Sequence, residues 1–311
     1  MLLRDTHSLS VSRKTLRVRL IEQLTSATHD WVMNKASHQH ILVLGATGKT
    51  GSRAVRRLAD KGVDVRAAAR TGADVNFDWN DPTTFEPALN RMTGVYLVSP
   101  VLRVDFADDV TRFLDQAEQA GVRHVTYLSA YGVEHASPEV ALRAVELDLI
   151  SRSSLTHSIV RPAWFMQNFS ETFLKPANGE IVVPNGTGAE AFVNAEDIAS
   201  VAAATLCDPD RHAGRAYSPT GPETLTMDDA ARIISLAAGR QIVYRDTDRD
   251  AWVSAMINSG VPAEYGEVLR TLTATIAGGH GSRPNDDVLT VTGAKPTSFT
   301  EFAAKTAAAW K

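Results

Sequence analysis

Three glycines recur at intervals of three in the stretch ILVLGATGKTG: Gly45, Gly48 and Gly51. Before them Ile41-Leu42-Val43-Leu44 is an unbroken apolar run, which is how a strand buried on both faces of a parallel sheet reads. After them Ala54, Val55, Leu58 and Ala59 share one helical face, and Gly62 marks the helix end. Strand, glycine turn and helix together make a site for a pyrophosphate. The helix N-terminus offers unpaired N–H groups and a partial positive charge. The glycines let the backbone turn tightly and approach the phosphates. The spacing is GxxGxxG and not GxGxxG, so the flanking strand and helix carry the reading more than the glycines do.

The next informative residue is Arg70, which follows the second apolar run, Val63 to Ala69, and lies nineteen residues after Gly51. An acid at this point binds the ribose 2′-hydroxyl of NAD, whereas an arginine accommodates the 2′-phosphate of NADP. No acid stands at the end of the run, so NADPH is the expected cofactor. The plain alternative is a solvated loop arginine. Asp78, after a third short run Val75-Asn76-Phe77, suits either a place near the adenine or the cap of the helix Pro82 to Leu89. Ser99 and Pro100 follow the fourth run, Gly94 to Val98, whose carboxyl end belongs at the crevice where open α/β sheets bind ligands. The aromatic stretch Ala163 to Phe169, with Trp164, Phe165 and Asn168, reads equally as the lining of a substrate pocket or as the start of a packed helix.

These residues need a frame to hold them. Helices are expected over Asp105 to Ala120, ended by Gly121, and over Pro138 to Ser153, with strands at Val125 to Leu128 and His157 to Val160. Six alternations of strand and helix argue for an α/β doubly wound parallel sheet. Beyond Arg161 the alternation loosens. Short strands are expected at Glu180 to Val183, Phe192 to Asn194, Ala216 to Ser218 and Gln241 to Tyr244. Helices are expected over Glu196 to Cys207, Met227 to Ala238, Pro262 to Ile276 and Ser298 to Trp310. Asp197 is expected to favour the N-terminus of its helix. The division is then a dinucleotide-binding domain over 39–162 and a smaller C-terminal substrate lobe over 163–311, completing the sheet and covering the cofactor. Residues 1–38 carry scattered Arg, Lys and Ser and no motif, and are expected to form a mobile extension.

Composition narrows the classes. At 311 residues the chain can bury a large core, and a net charge of −4 gives no nucleic-acid footprint. The single cysteine, Cys207, excludes a disulfide framework and fits a reducing, cytoplasmic setting. No apolar run is long enough to span a bilayer. The nine histidines show no metal-ligand spacing, and no nucleophile elbow appears, so no metal is expected. The expected partner is a small-molecule substrate, and an oligomer is left open.

The pieces LGATGKTG, RAAAR, FDWND, TYLSA, HSIVRPAWFMQNF and YSPTGPETLT resemble the NmrA-like group of atypical short-chain dehydrogenase/reductases over about residues 39–310. The wording is most similar to the festuclavine/agroclavine dehydrogenase branch of ergot alkaloid reductases and its bacterial relatives. The resemblance implies that Gly45, Thr47, Gly48, Lys49 and Thr50 wrap the pyrophosphate while Gly51 packs the helix. It implies that Arg70 meets the 2′-phosphate. Val98, Ser99 and Pro100 lie against the phosphates and nicotinamide ribose, Ser129 and Ala130 flank the nicotinamide, and Trp164, Phe165 and Asn168 face the substrate.

One departure shapes the chemistry. Standard short-chain enzymes place a tyrosine four residues before a lysine on the helix after the fifth strand, as a proton donor and its activator. Counting back from Ser153-Ser154-Leu155 puts Glu139 and Arg143 at those positions, and a register slipped by one puts Pro138 and Leu142 there; neither pairing has the tyrosine, and the helix contains no lysine. No catalytic residue is assigned; Ser129 and Tyr131 are the candidates left nearby. The expectation is an NADPH-dependent oxidoreductase that transfers hydride to an electron-poor small molecule, an iminium, quinone or conjugated carbonyl, which needs no such donor. The alternative is an NADP(H)-binding redox sensor with little turnover.

Overall fold

A computed structural model describes residues 39–311. The extension expected over 1–38 lies outside the described residues. The chain opens as β1 (His40–Leu44), α1 (Gly51–Ala59), β2 (Asp64–Ala69), β3 (Val75–Asn76), α2 (Phe85–Leu89), β4 (Gly94–Val98), α3 (Ala107–Gln119), β5 (His124–Leu128), α4 (Ala141–Ser151) and β6 (Thr156–Val160). It continues through α5 (Asn168–Glu171), β7 (Glu180–Val182), β8 (Ala189–Glu190), α6 (Ala195–Cys207), α7 (Pro209–His212), β9 (Arg215–Tyr217) and β10 (Leu225–Thr226). The last elements are α8 (Met227–Ala238), β11 (Val243–Arg245), α9 (Arg249–Asn258), α10 (Ala263–Ala277), α11 (Asp287–Thr292) and α12 (Phe299–Thr306).

Seven strands form one parallel sheet in the order β3-β2-β1-β4-β5-β6-β9. This is a doubly wound Rossmann sheet with one strand added. The order reverses between β1 and β4, which opens a crevice at their carboxyl ends. Alternate residues of each strand serve opposite layers. Leu42, Leu44, Val95, Leu97, Val125 and Tyr127 pack with Phe85, Phe113 and Val145 from α2, α3 and α4. Ile41, Val43 and Tyr96 pack on the other face against Ala54 and Leu58 of α1 and Ala199, Ala202, Ala203 and Leu206 of α6. The C-terminal residues build a separate core in which Phe169, Phe192, Phe299 and Trp310 are all buried.

Several expectations shift. The helix after β5 begins at Ala141 and not Pro138. Ser137 forms its own turn first: its carbonyl accepts Val140 N–H at 2.9 Å and its Oγ accepts Glu139 N–H at 3.3 Å. Glu139 is therefore exposed in a turn and off the helix. Phe192 to Asn194 is no strand; Val193 makes one bridge to Phe165, and the paired segment is β8 with β10. The strand expected at Gln241 to Tyr244 starts two residues later. The cap of the helical stretch from Pro82 is Asp81, whose carboxylate accepts Thr83 N–H at 3.1 Å, and not Asp78. Helix α6 is capped by Asn194, which accepts Glu196 N–H. Asp197 stands in the first turn of that helix, as expected, and also ties it to the C-terminal segment by accepting Thr297 N–H, at 2.8 Å, and Thr297 Oγ1. Helices α7, α9 and α11 lie where no helix is expected from the sequence.

Candidate active site

The glycine turn has the backbone its sequence demands. Gly45 sits at φ +61°, a left-handed conformation that side chains rarely adopt, and lies against Val98 at the end of β4. Its carbonyl accepts Gly48 N–H at 2.8 Å. A Cβ on Gly51 would collide with that same carbonyl, so only glycine lets α1 start this close to β1. Thr47 and Gly48 are exposed at the tip, and Thr50 is buried behind it.

Lys49 does not point into solvent from the turn. Its Nζ donates to Asn168 Oδ1 at 3.1 Å and to Thr172 Oγ1 at 3.0 Å. Burial lowers the Lys49 pKa, partly offset by the nearby Glu171 carboxylate. Arg53, one turn along α1, donates to the Lys49 carbonyl at 2.6 Å and to Glu171 at 3.2 Å. Its Nε also meets Glu196 at 3.1 Å. The turn and the segment 168–172 are thus fastened together by one lysine and one arginine.

Arg70 follows β2, next to the turn in the sheet; Ala46 N–H donates to the Ala68 carbonyl at 3.1 Å, and Thr47 lies near Gly72. Arg70 is exposed and makes no ion pair or hydrogen bond among the described residues. The acid of that loop, Asp74, spends its carboxylate on Ala67 N–H at 2.8 Å. Asp78 sits in a turn, half-buried, with its carboxylate accepting Asn80 N–H at 3.0 Å.

The carboxyl ends of β4, β5 and β6 carry a polar network. Ser99 and Tyr127 share a hydrogen bond of 3.0 Å. Burial pushes the Tyr127 phenol well above its usual range. Ser129 Oγ donates to Glu146 Oε1 at 2.7 Å. Arg161 grips Glu146 with both Nε and Nη2, each at 2.8 Å, and Arg143 Nη1 reaches Oε2 at 2.8 Å. The Glu146 side chain is 0% exposed. Burial alone would raise its pKa, but the hydrogen bonds from Arg161, Ser129 and Arg143 outweigh it and hold the carboxyl below its ordinary value. Ala130 is half-buried beside this network, and Pro100 half-buried beside Ser99. Tyr131 is 40% exposed, with its N–H on the Pro162 carbonyl at 3.1 Å.

Of the aromatic stretch, Trp164 is half-buried and meets Phe173 edge to face at 5.7 Å. Phe165 packs with Val160, Ala163 and Val193. Asn168 turns to Lys49, as above. Behind Trp164, Glu190 is buried and bonded by Ser282 through both N–H and Oγ. Burial raises its pKa.

The arrangement fits a dinucleotide. A glycine-walled turn leads from β1 into a nine-residue helix, an arginine unpaired among the described residues stands at the end of β2 on one side of it, and the crevice toward β4 opens on the other. Among the described residues no group of three or more His, Cys, Asp or Glu could hold a metal, and no helix is long and apolar enough to cross a membrane. Sequence reading missed Glu146. Its signal was there: an acid beside Ala141, Val145 and Leu149 on an otherwise apolar helical face, with an arginine ending the next strand. A buried carboxylate requires such a partner.

The model of the NmrA-like family matches residues 37–303. The uncharacterised oxidoreductase YesF of Bacillus subtilis is 36% identical over 279 residues, covering 87% of this chain and 96% of YesF. Agroclavine dehydrogenase of Claviceps fusiformis is 30% identical, covering 87% of this chain and 98% of that protein. Among solved structures, triphenylmethane reductase of Citrobacter sp., complexed with NADP(H), superposes with a TM-score of 0.67 at 23% identity, over 86% of this chain and 99% of that one.

Proposed function

The chain belongs to the NmrA-like family, and on that premise we propose that it is an NADPH-dependent reductase of electron-poor small molecules: an iminium, a quinone or a conjugated carbonyl. The observation that carries this reading is helix α4. Residues 141–151 contain neither tyrosine nor lysine, and Arg143, the residue at the expected lysine position, is engaged by Glu146. A nicotinamide bound in this crevice would thus face a closed ion-pair cluster from α4, with no phenol on that helix.

Bound NADPH supplies the hydride. Gly45, Gly48 and the first turn of α1 would hold its pyrophosphate, and Arg70 its 2′-phosphate, where no acid competes for the guanidinium. Trp164 and Phe173 offer an apolar face for an acceptor. An iminium carbon that receives hydride becomes a neutral amine and needs no proton, so it suits this wall best. That a relative at 30% identity is named agroclavine dehydrogenase supports an oxidoreductase.

The test is to follow NADPH oxidation by the purified protein with a cyclic iminium, a quinone, a conjugated enone and an unactivated ketone. Turnover is expected with the activated acceptors and not with the plain ketone. A ketone reduced as fast as the iminium would overturn the reading. Binding of NADPH with no turnover on any acceptor would favour a sensing role.

A further inference from the structure

Glu146 has no room left for another donor. Ser129 Oγ and Arg161 Nε occupy Oε1; Arg161 Nη2 and Arg143 Nη1 occupy Oε2. A carboxylate offers about four lone-pair positions, and here four donors fill them. Two guanidiniums touch it directly, so it is ionised and acceptor-only. The hydrogen of Ser129 must therefore lie on the Ser129–Glu146 line, because a carboxylate has no proton to give back. What remains on Ser129 is its lone pairs, and no described residue uses them. Its N–H is already spent on the Val160 carbonyl at 2.8 Å. Ser129 is 6% exposed and directly follows β5, the strand paired with β4 on the side away from β1.

We propose that Glu146 is a positioning residue that fixes Ser129 as a hydrogen-bond acceptor, so that this point of the crevice takes an N–H donor and refuses a carbonyl oxygen or oxyanion. A serine free to rotate would serve either partner. Here rotation toward a carbonyl would abandon the buried carboxylate, leaving its Oε1 with one donor fewer in a site closed to water. The inference rests on the proposed nicotinamide chemistry at this crevice. Two N–H donors can reach such a point: the carboxamide of the cofactor, and a cationic nitrogen of the substrate.

Binding measurements separate these sources without turnover. In the first arm NADP⁺ is compared with its 3-acetylpyridine analogue, which replaces the carboxamide NH₂ by a methyl group. In the second, the NADP⁺-loaded protein is titrated with a cyclic aromatic amidine and with a neutral ketone of the same shape. The expected result is a preference for the donor of roughly tenfold in at least one arm, the scale of one buried hydrogen bond. Ser129→Ala should abolish it, and Ser129→Thr, which keeps the hydroxyl, should retain it. Glu146→Gln should shrink or invert it, since an amide can donate to Ser129 and free the serine proton. If Glu146→Gln does not fold, the wild-type, Ser129→Ala and Ser129→Thr comparisons suffice. NADP⁺ binding with no donor preference in either arm, or a preference unchanged in Ser129→Ala, overturns the proposal. Failure to bind the dinucleotide at all would instead overturn the reductase reading.

Discussion

Lys49 Nζ lies 3.1 Å from Asn168 Oδ1, so the turn that begins α1 and the segment that follows β6 share a hydrogen bond across 119 residues of sequence. On the proposed reading Lys49 would lie on the phosphate side of the crevice and Asn168 on the acceptor side, so this bond would couple the two. Lys49→Ala is expected to weaken NADPH binding and to raise KM for the acceptor together, each by roughly tenfold, since bonds to a charged group are worth about 1.5–3 kcal/mol and water recovers part. Asn168→Ala should cost less, and the double variant should fall short of the sum. A double-mutant cycle read by nicotinamide fluorescence and by steady-state kinetics checks this. Strict additivity would mean that the two residues act independently.

Arg70 predicts the choice between the two nicotinamide cofactors. NADPH should bind at least tenfold tighter than NADH, because a guanidinium–phosphate pair is charge-assisted and no neighbouring carboxylate competes for it. Arg70→Asp should erase or reverse the difference. Separate titrations of the two cofactors decide it; equal affinities in the wild type would remove the assignment of the 2′-phosphate to this residue.

Gly51 predicts a backbone effect. An added Cβ meets the Gly45 carbonyl, which cannot move without disturbing the bond to Gly48 N–H. Gly51→Ala should destabilise the protein by about 1–3 kcal/mol and displace the turn. Thermal melts with and without NADPH test both parts: a lowered Tm and a lost ligand-induced rise are expected.

His124 predicts an acid limit far from the crevice, at the start of β5. It is 3% exposed, with Nδ1 against Thr156 Oγ1 at 2.9 Å and Nε2 facing Ser158 Oγ at 3.3 Å. Burial first, then the neighbouring His157 and His212, push its pKa down to about 4, with Asp210 opposing. Between that value and the unfolded one near 6.5 the unfolded chain binds more protons than the folded one. Stability should therefore fall as pH drops from about 6.5 to about 4, by about 3 kcal/mol for this residue. Half-buried His157 and buried His212 shift in the same direction and add to the slope. Unfolding curves across that range should show His124→Asn less pH-sensitive than the wild type.

The sheet was readable because its strands obey a strong rule. Strands covered on both faces are nearly all apolar, and β1, β4 and β5 are buried almost throughout. The glycine turn was readable because each glycine answers a steric demand. Less was legible where packing overrode local preference. Helix α11, Asp287–Thr292, is rich in Val and Thr and reads as extended, yet Val288 and Val291 are buried with Ile198 and Val201 of α6. Helix α9 was hidden by the mixed-charge stretch Arg245 to Asp250 at its start, although Asp248 caps it by accepting Ala251 N–H at 2.8 Å. At the crevice, the cluster around Glu146 joins residues from α4 and the ends of β5 and β6. Only the fold brings them together, so no local spacing announces it.

Helix α6 comes from the later half of the chain, yet its Ala199, Ala202, Ala203 and Leu206 lie beneath Ile41, Val43 and Tyr96. A fragment ending at residue 162 would leave that underside of the sheet wet. The nucleotide half therefore cannot be exchanged between relatives as a simple cassette; a chimera has to carry residues 195–207 along with it, together with Asn194 that caps them.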